Sequence, residues 1–151
     1  MKQNNVRRYV CFMLIGVVLN LGLYQIAHIF HLPLWMDSIG SAYVAIMLEP
    51  AAGLLVAFAT NFYQAAMIYG SSSLVYYATS AMAALCIGVL IRKNGIICRK
   101  QYIKAITCYF VCATLIATLL TLWRTNGIAD SAWERHYISM AMDAGMPSAL
   151  A

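Results

Sequence analysis

Apolar residues run along this chain in blocks of helix length, separated by short polar turns. Residues 9–30 carry no charge, and at about 1.5 Å per residue they are long enough to cross about 30 Å of hydrocarbon. Residues 34–48 form a shorter block, roughly 22 Å as a helix, and so a tight crossing. Residues 50–69 make a full span with Pro50 in the favoured first turn. The Gly70-Ser71-Ser72-Ser73 turn leads into 74–91, and 102–123 is a fifth span. Residues 137–151 are apolar but broken by Asp143, Gly145 and Pro147, so they read either as an inward sixth helix cut short, the favoured reading, or as a tail lying along the interface. The pattern predicts an all-α polytopic transmembrane bundle of five spans plus a partial sixth, with residues 1–151 as one integral membrane domain.

Composition agrees with that class. The chain is 63% hydrophobic and 10% charged, whereas a soluble domain carries about 25% charged residues. Lipid must cover what polar surface does not. The first block follows Lys2, Arg7 and Arg8 but is too long for a cleaved signal peptide and lacks a small-x-small site, so a retained helix is expected.

Residues 36–53, MDSIGSAYVAIMLEPAAG, decide the topology. Lys and Arg concentrate on cytoplasmic loops. If 34–48 crosses by itself, four crossings separate the Lys2/Arg7/Arg8 cluster from Arg92, Lys93, Arg99, Lys100 and Lys104, and both face the cytoplasm. Arg124 and Arg135 are then outside, beside Asp130 and Glu134. Without that crossing the two basic clusters would sit on opposite sides. The expectation is a multi-pass cell-membrane protein with a cytoplasmic N-terminus.

Polar residues within the spans fall on helix faces. Gly16, Asn20, Tyr24 and His31 form one stripe, and Gly53, Ala57, Thr60 and Gln64 another, flanked by Asn61. Tyr76, Thr79, Ser80 and Ala83 cluster on the fourth span. Thr107, Thr114, Thr118, Thr121 and Thr125 line the fifth. Two readings stand for such stripes. Small and hydroxyl residues let helices approach and bond across the contact. Alternatively, those in the outer half (Asn61, Gln64, Tyr76, Tyr77, Ser80, Thr118, Thr121 and Arg124) line a pocket for a small organic ligand. Asp37, beside Trp35, reads as a helix cap or first-turn acid ahead of a ligand contact, and Glu49 as a solvated or capping acid at the inner turn.

Catalytic and metal chemistry find little support. His28 and His31 are about one turn apart without an acidic or thiol partner, and read as interfacial. Cys11, Cys86, Cys98, Cys108 and Cys112 are odd in number and mostly intramembrane, hence small apolar residues rather than disulfides. Cys108 and Cys112 share a face, but a two-thiol metal site would lack its other ligands. No nucleophile elbow, P-loop or dinucleotide fingerprint occurs. Neither an enzyme, a metal nor a cofactor is expected. The basic loop around 92–104 fits topology and membrane lipid contact, not nucleic acid.

The run from Leu32 through the third span resembles the second and third helices of energy-coupling factor transporter S components. Asp37, Ile39, Gly40, Ser41 and Ala42 match the family's Asp-x-Ile-Gly-Thr-Ala-like opening. Pro50 and Gly53 match its Gly-Pro-x-x-Gly turn, with Glu49 in place of the first Gly, and Asn61 its late Asn. Gly88 before Arg92 and Lys93 is similar to the end of its fourth helix, so the likeness covers about 32–93. The resemblance implies six helices and capture of a vitamin-like micronutrient from outside. It also implies partnership with a transmembrane coupling protein and two ATPase subunits. Gly16 and Asn20 are the nearest substitutes for the small pair with which the family's first helix meets the coupling protein. A different class also fits the pattern: the membrane-embedded sensor of a signalling protein such as a histidine kinase.

Overall fold

The apolar blocks fold as helices. A computed structural model describes residues 2–30, 36–92, 99–125 and 132–143, together with Gly145. In chain order the helices are α1 (Lys2–Ile29), α2 (Ile39–Met47), α3 (Pro50–Gln64), α4 (Tyr77–Arg92), α5 (Arg99–Thr125) and α6 (Ala132–Asp143). A π-helical turn (Ala65–Tyr69) and a 3₁₀ segment (Ser71–Tyr76) join α3 to α4. No strand occurs among the described residues. Among the described residues, four segments are long and apolar enough to cross a membrane: Val6–Ile29, Pro50–Tyr69, Ser71–Ile91 and Lys100–Trp123. They coincide with four of the predicted spans and mark a membrane protein. Leu14, Val18, Leu55, Phe110 and Leu119 on these helices point outward, as side chains facing lipid do.

The block at 34–48 takes a different form. Its described helix, α2, has nine residues, about 13.5 Å of rise, and residues 31–35 lie outside the described residues. The predicted partial helix at 137–151 also shifts. α6 begins earlier, at Ala132, includes Glu134, Arg135 and His136, and has twelve residues. Gly145 follows with φ +93, a left-handed conformation that ends a helix, and 146–151 lie outside the described residues.

The chain divides into two compact units, Met1–Ala117 and Thr118–Ala151. The second holds the last turns of α5 and α6.

Within the first unit, successive helices reverse direction. Gly16 lies against Val44 while Asn20, further along α1, meets Gly40 and Ser41. Gly53 faces Ala45, and Gln64 near the other end of α3 reaches Asp37. Asn61 meets Ser80, and Gly53 approaches Ala84. Thus α2 runs against α1 and α3, and α4 against α3. Short α2 is the centre of this unit, packed on α1, α3 and α4. Val44 and Ala45 are buried with Val56 and Ala57, and Phe12, Met13, Val17 and Tyr43 close over Val44 and Val56.

Absent side chains make this possible. A Cβ on Gly40 would run into the Gly16 carbonyl oxygen, and one on Gly53 would lie 2.7 Å from both the Ala45 Cβ and the Ser41 carbonyl oxygen. The backbones of α1, α2 and α3 are therefore in near contact, the small-residue packing that membrane helices use where lipid supplies no hydrophobic drive. Pro50 opens α3 as expected, preceded by Glu49, which is exposed and makes no side-chain cap.

Candidate functional site

Polar side chains of the first unit sit in successive layers between these helices. Asn20 is fully buried. Its Nδ2 donates to Ser41 Oγ (2.9 Å) and Thr60 Oγ1 (3.1 Å), and its Oδ1 accepts the Gly40 N–H (2.6 Å). Thr60 Oγ1 in turn donates a hydrogen bond to the Val56 carbonyl at 2.9 Å. Every hydrogen of the Asn20 amide is thereby used. The Gly40 N–H belongs to the first turn of α2, whose donors have no partner within the helix. Ser38, the residue at the cap position, makes no side-chain capping bond. The cap of α2 thus comes from α1.

One layer along, Asn61 Nδ2 donates to the Ala57 carbonyl (2.9 Å) and Ser80 Oγ (3.0 Å). Beyond it, Gln64 Nε2 donates to Asp37 Oδ2 at 3.2 Å. Ser38 and Tyr109 share a 2.8 Å hydrogen bond, and Tyr24 and Tyr69 one of 2.6 Å. The Tyr24 and Tyr69 rings meet edge-on, 6.0 Å apart.

The backbone loses regularity at this layer. The π-helical turn starts immediately after Gln64, and Gly70 adopts φ +86. The Gly70 carbonyl then accepts both the N–H (3.1 Å) and the Oγ–H (2.8 Å) of Ser73. π-Turns inside α-helices are frequent at functional sites.

Of the predicted pocket residues, Asn61, Gln64 and Ser80 are buried and Tyr76 and Tyr77 half-buried. Asn61 and Ser80 bond each other. The Tyr77 ring stands perpendicular to Phe58 with centroids 5.6 Å apart. Thr118 and Thr121 belong to the second unit, the first exposed and the second half-buried. Arg124 is there too, and its side chain lies outside the described residues.

Asp37 was expected as a cap; its carboxylate instead holds Gln64. A carboxylate inside an otherwise apolar run is the signal that marks it. Gly16 and Asn20, expected to meet a partner protein, are buried against α2 and α3 of the same chain. The threonine stripe is mostly outward-facing: Thr107, Thr114 and Thr118 are exposed, and Thr114 bonds the Phe110 carbonyl of its own helix at 2.7 Å. His28 is exposed with its ring 6.1 Å from Tyr24, and His31 lies outside the described residues.

Cys108 and Cys112 gain a neighbour that spacing does not reveal. Cys86 of α4 puts its sulfur 3.8 Å from that of Cys108, and all three sulfurs lie within 4.8 Å of one another. Cys11 is exposed on α1, and Cys98 lies outside the described residues. No protein-family model, curated protein or solved structure matches the chain.

Proposed function

We propose that the chain captures a small vitamin-like molecule in the half of the first unit that holds Asp37, as an S-component-type subunit of an energy-coupling factor importer. The observation that carries this reading is the Asp37–Gln64 pair beside the irregular α3–α4 junction. A carboxylate held among apolar helices is costly and is commonly retained for a ligand or ion. Tyr76 ends the α3–α4 junction and Tyr77 opens α4, and both supply aromatic surface. An N–H-bearing ring that takes over the Gln64 bond to Asp37, stacked on a tyrosine, is the ligand chemistry this set suits.

The antiparallel course of α2 between α1 and α3 supports five crossings, with α2 in the second. Both basic clusters then face the cytoplasm. A Cys replacing Ser72, in a variant lacking the native cysteines, is expected to react with an impermeant thiol reagent from outside. One replacing Asn94, which lies outside the described residues, reacts only after permeabilisation. The opposite pattern would overturn the orientation.

The sensor reading keeps one specific support. Because Gly16 and Asn20 are packed internally, a coupling protein would have to meet the outward face of α1, around Leu14 and Val18.

A thermal-shift screen of the purified protein against vitamins and nucleobase-like compounds tests capture directly. A ligand at a hundred times its Kd stabilises by about 2.7 kcal/mol. Loss of a bond to a charged group costs about 1.5–3 kcal/mol, so Asp37→Asn is expected to weaken binding roughly 10- to 100-fold, with Tyr76→Ala in the same direction. No stabilising compound, or unchanged affinity in both variants, would defeat the reading.

A further inference from the structure

The three thiols of α4 and α5 form a cluster that substrate capture does not use. Among the described residues, Cys86, Cys108 and Cys112 are the one group of three metal-ligating side chains close enough to share an ion. Two come from one helix a single turn apart, and the third from its neighbour, so backbone rather than loop fixes their positions. Metal–sulfur bonds of about 2.3 Å in a trigonal plane put the sulfurs about 4 Å apart. The Cys86–Cys108 separation of 3.8 Å already has that value, and the spread of the whole set is 4.8 Å or less. Little movement is needed to bring Cys112 in. Cys86 is buried while Cys108 and Cys112 are half-buried.

The geometry points to a three-coordinate thiol site for a soft monovalent cation, Cu(I), between α4 and α5. Sulfur-only ligation selects soft ions, and the preference for Cu(I) over harder divalent ions follows from ligand type. Cysteine ligates as the thiolate, so three thiol protons leave to solvent when Cu(I) binds all three sulfurs, the filled site carries a net charge of −2, and binding strengthens as pH rises. The site does not depend on the capture reading, and either stands if the other fails.

The test uses the full chain, purified in detergent, reduced and kept anaerobic, with Cu(I) supplied from a chromogenic Cu(I) chelator. The protein is expected to withdraw one equivalent and to develop thiolate-to-copper charge-transfer absorption. Cys86→Ser, Cys108→Ser and Cys112→Ser should each weaken binding by roughly 100-fold, the upper end of the loss seen on removing an outer-shell partner. The double variant C11S/C98S should bind like the parent. Circular dichroism and elution profile identify any variant that fails to fold, and Cys86→Ala, which keeps an apolar contact, then replaces Cys86→Ser. Failure to withdraw Cu(I), parent-like affinity in folded triad variants, or loss of binding in C11S/C98S would overturn the site.

Discussion

Asn20→Ala is expected to destabilise the helical bundle by about 2–4 kcal/mol, read as a drop in thermal or denaturant midpoint in detergent. An interhelical hydrogen bond in a membrane protein averages about 0.6 kcal/mol, with a maximum near 1.7, and Asn20 makes three at once. Its removal also leaves the Gly40 N–H buried without an acceptor, which adds a desolvation cost of about 1–3 kcal/mol. Thr60→Val takes away one member of the same set and should cost much less. Equal effects from the two, or an Asn20→Ala midpoint like that of the exposed Leu14→Ala, would show that α1 does not cap α2.

Gly40→Ala is the second large effect. The added methyl would meet a backbone oxygen, Gly16 O, which has no rotamer to move to. Overpacking a tight contact costs about 1–3 kcal/mol and occasionally more. Gly16→Ala meets the Val44 Cγ2 at 2.6 Å, and a side chain yields more readily than backbone, so its cost should be smaller. Gly22 is the internal control: nothing lies within 4 Å of a Cβ built there. Exchanging Gly for Ala in an open helix position gains up to about 1 kcal/mol. The expected order of stability is Gly22→Ala, Gly16→Ala, Gly40→Ala. A Gly40→Ala protein as stable as Gly22→Ala would remove the close α1–α2 approach.

Four long helices were legible because uncharged length alone identifies them, and Pro50 with the Gly70–Ser73 turn marked where two begin. α2 was legible as apolar but not as a nine-residue helix, since its apolar neighbours before Ile39 carry no stop signal other than Pro33. Its cap was hidden for a different reason. Capping patterns are local in sequence, and the residue that caps Gly40 stands twenty positions earlier. Asp37 and Ser38, which occupy the usual capping positions, are drawn away to Gln64 and Tyr109.

The threonine stripe shows the limit of periodicity. Thr114 donates its hydroxyl hydrogen to the Phe110 carbonyl of its own helix from an exposed position. Spacing therefore finds a face without saying what covers it. Cys86 makes the same point in reverse: the row Cys108–Cys112 is visible in α5, but which α4 residue stands opposite depends on helix register. The buried pair Asn61–Ser80 lay within two recognised stripes, and there the polar pattern led to residues that do meet.

That α2 borrows its first-turn acceptor from α1 has a consequence for biogenesis. A nine-residue apolar helix is too short to hold a bilayer by itself and cannot satisfy its own leading N–H groups. Its Gly40 N–H is satisfied only where α1 is present to offer the Asn20 side chain. A nascent chain deprived of its first thirty residues would carry the information for α2 but lack the surface on which that helix becomes stable.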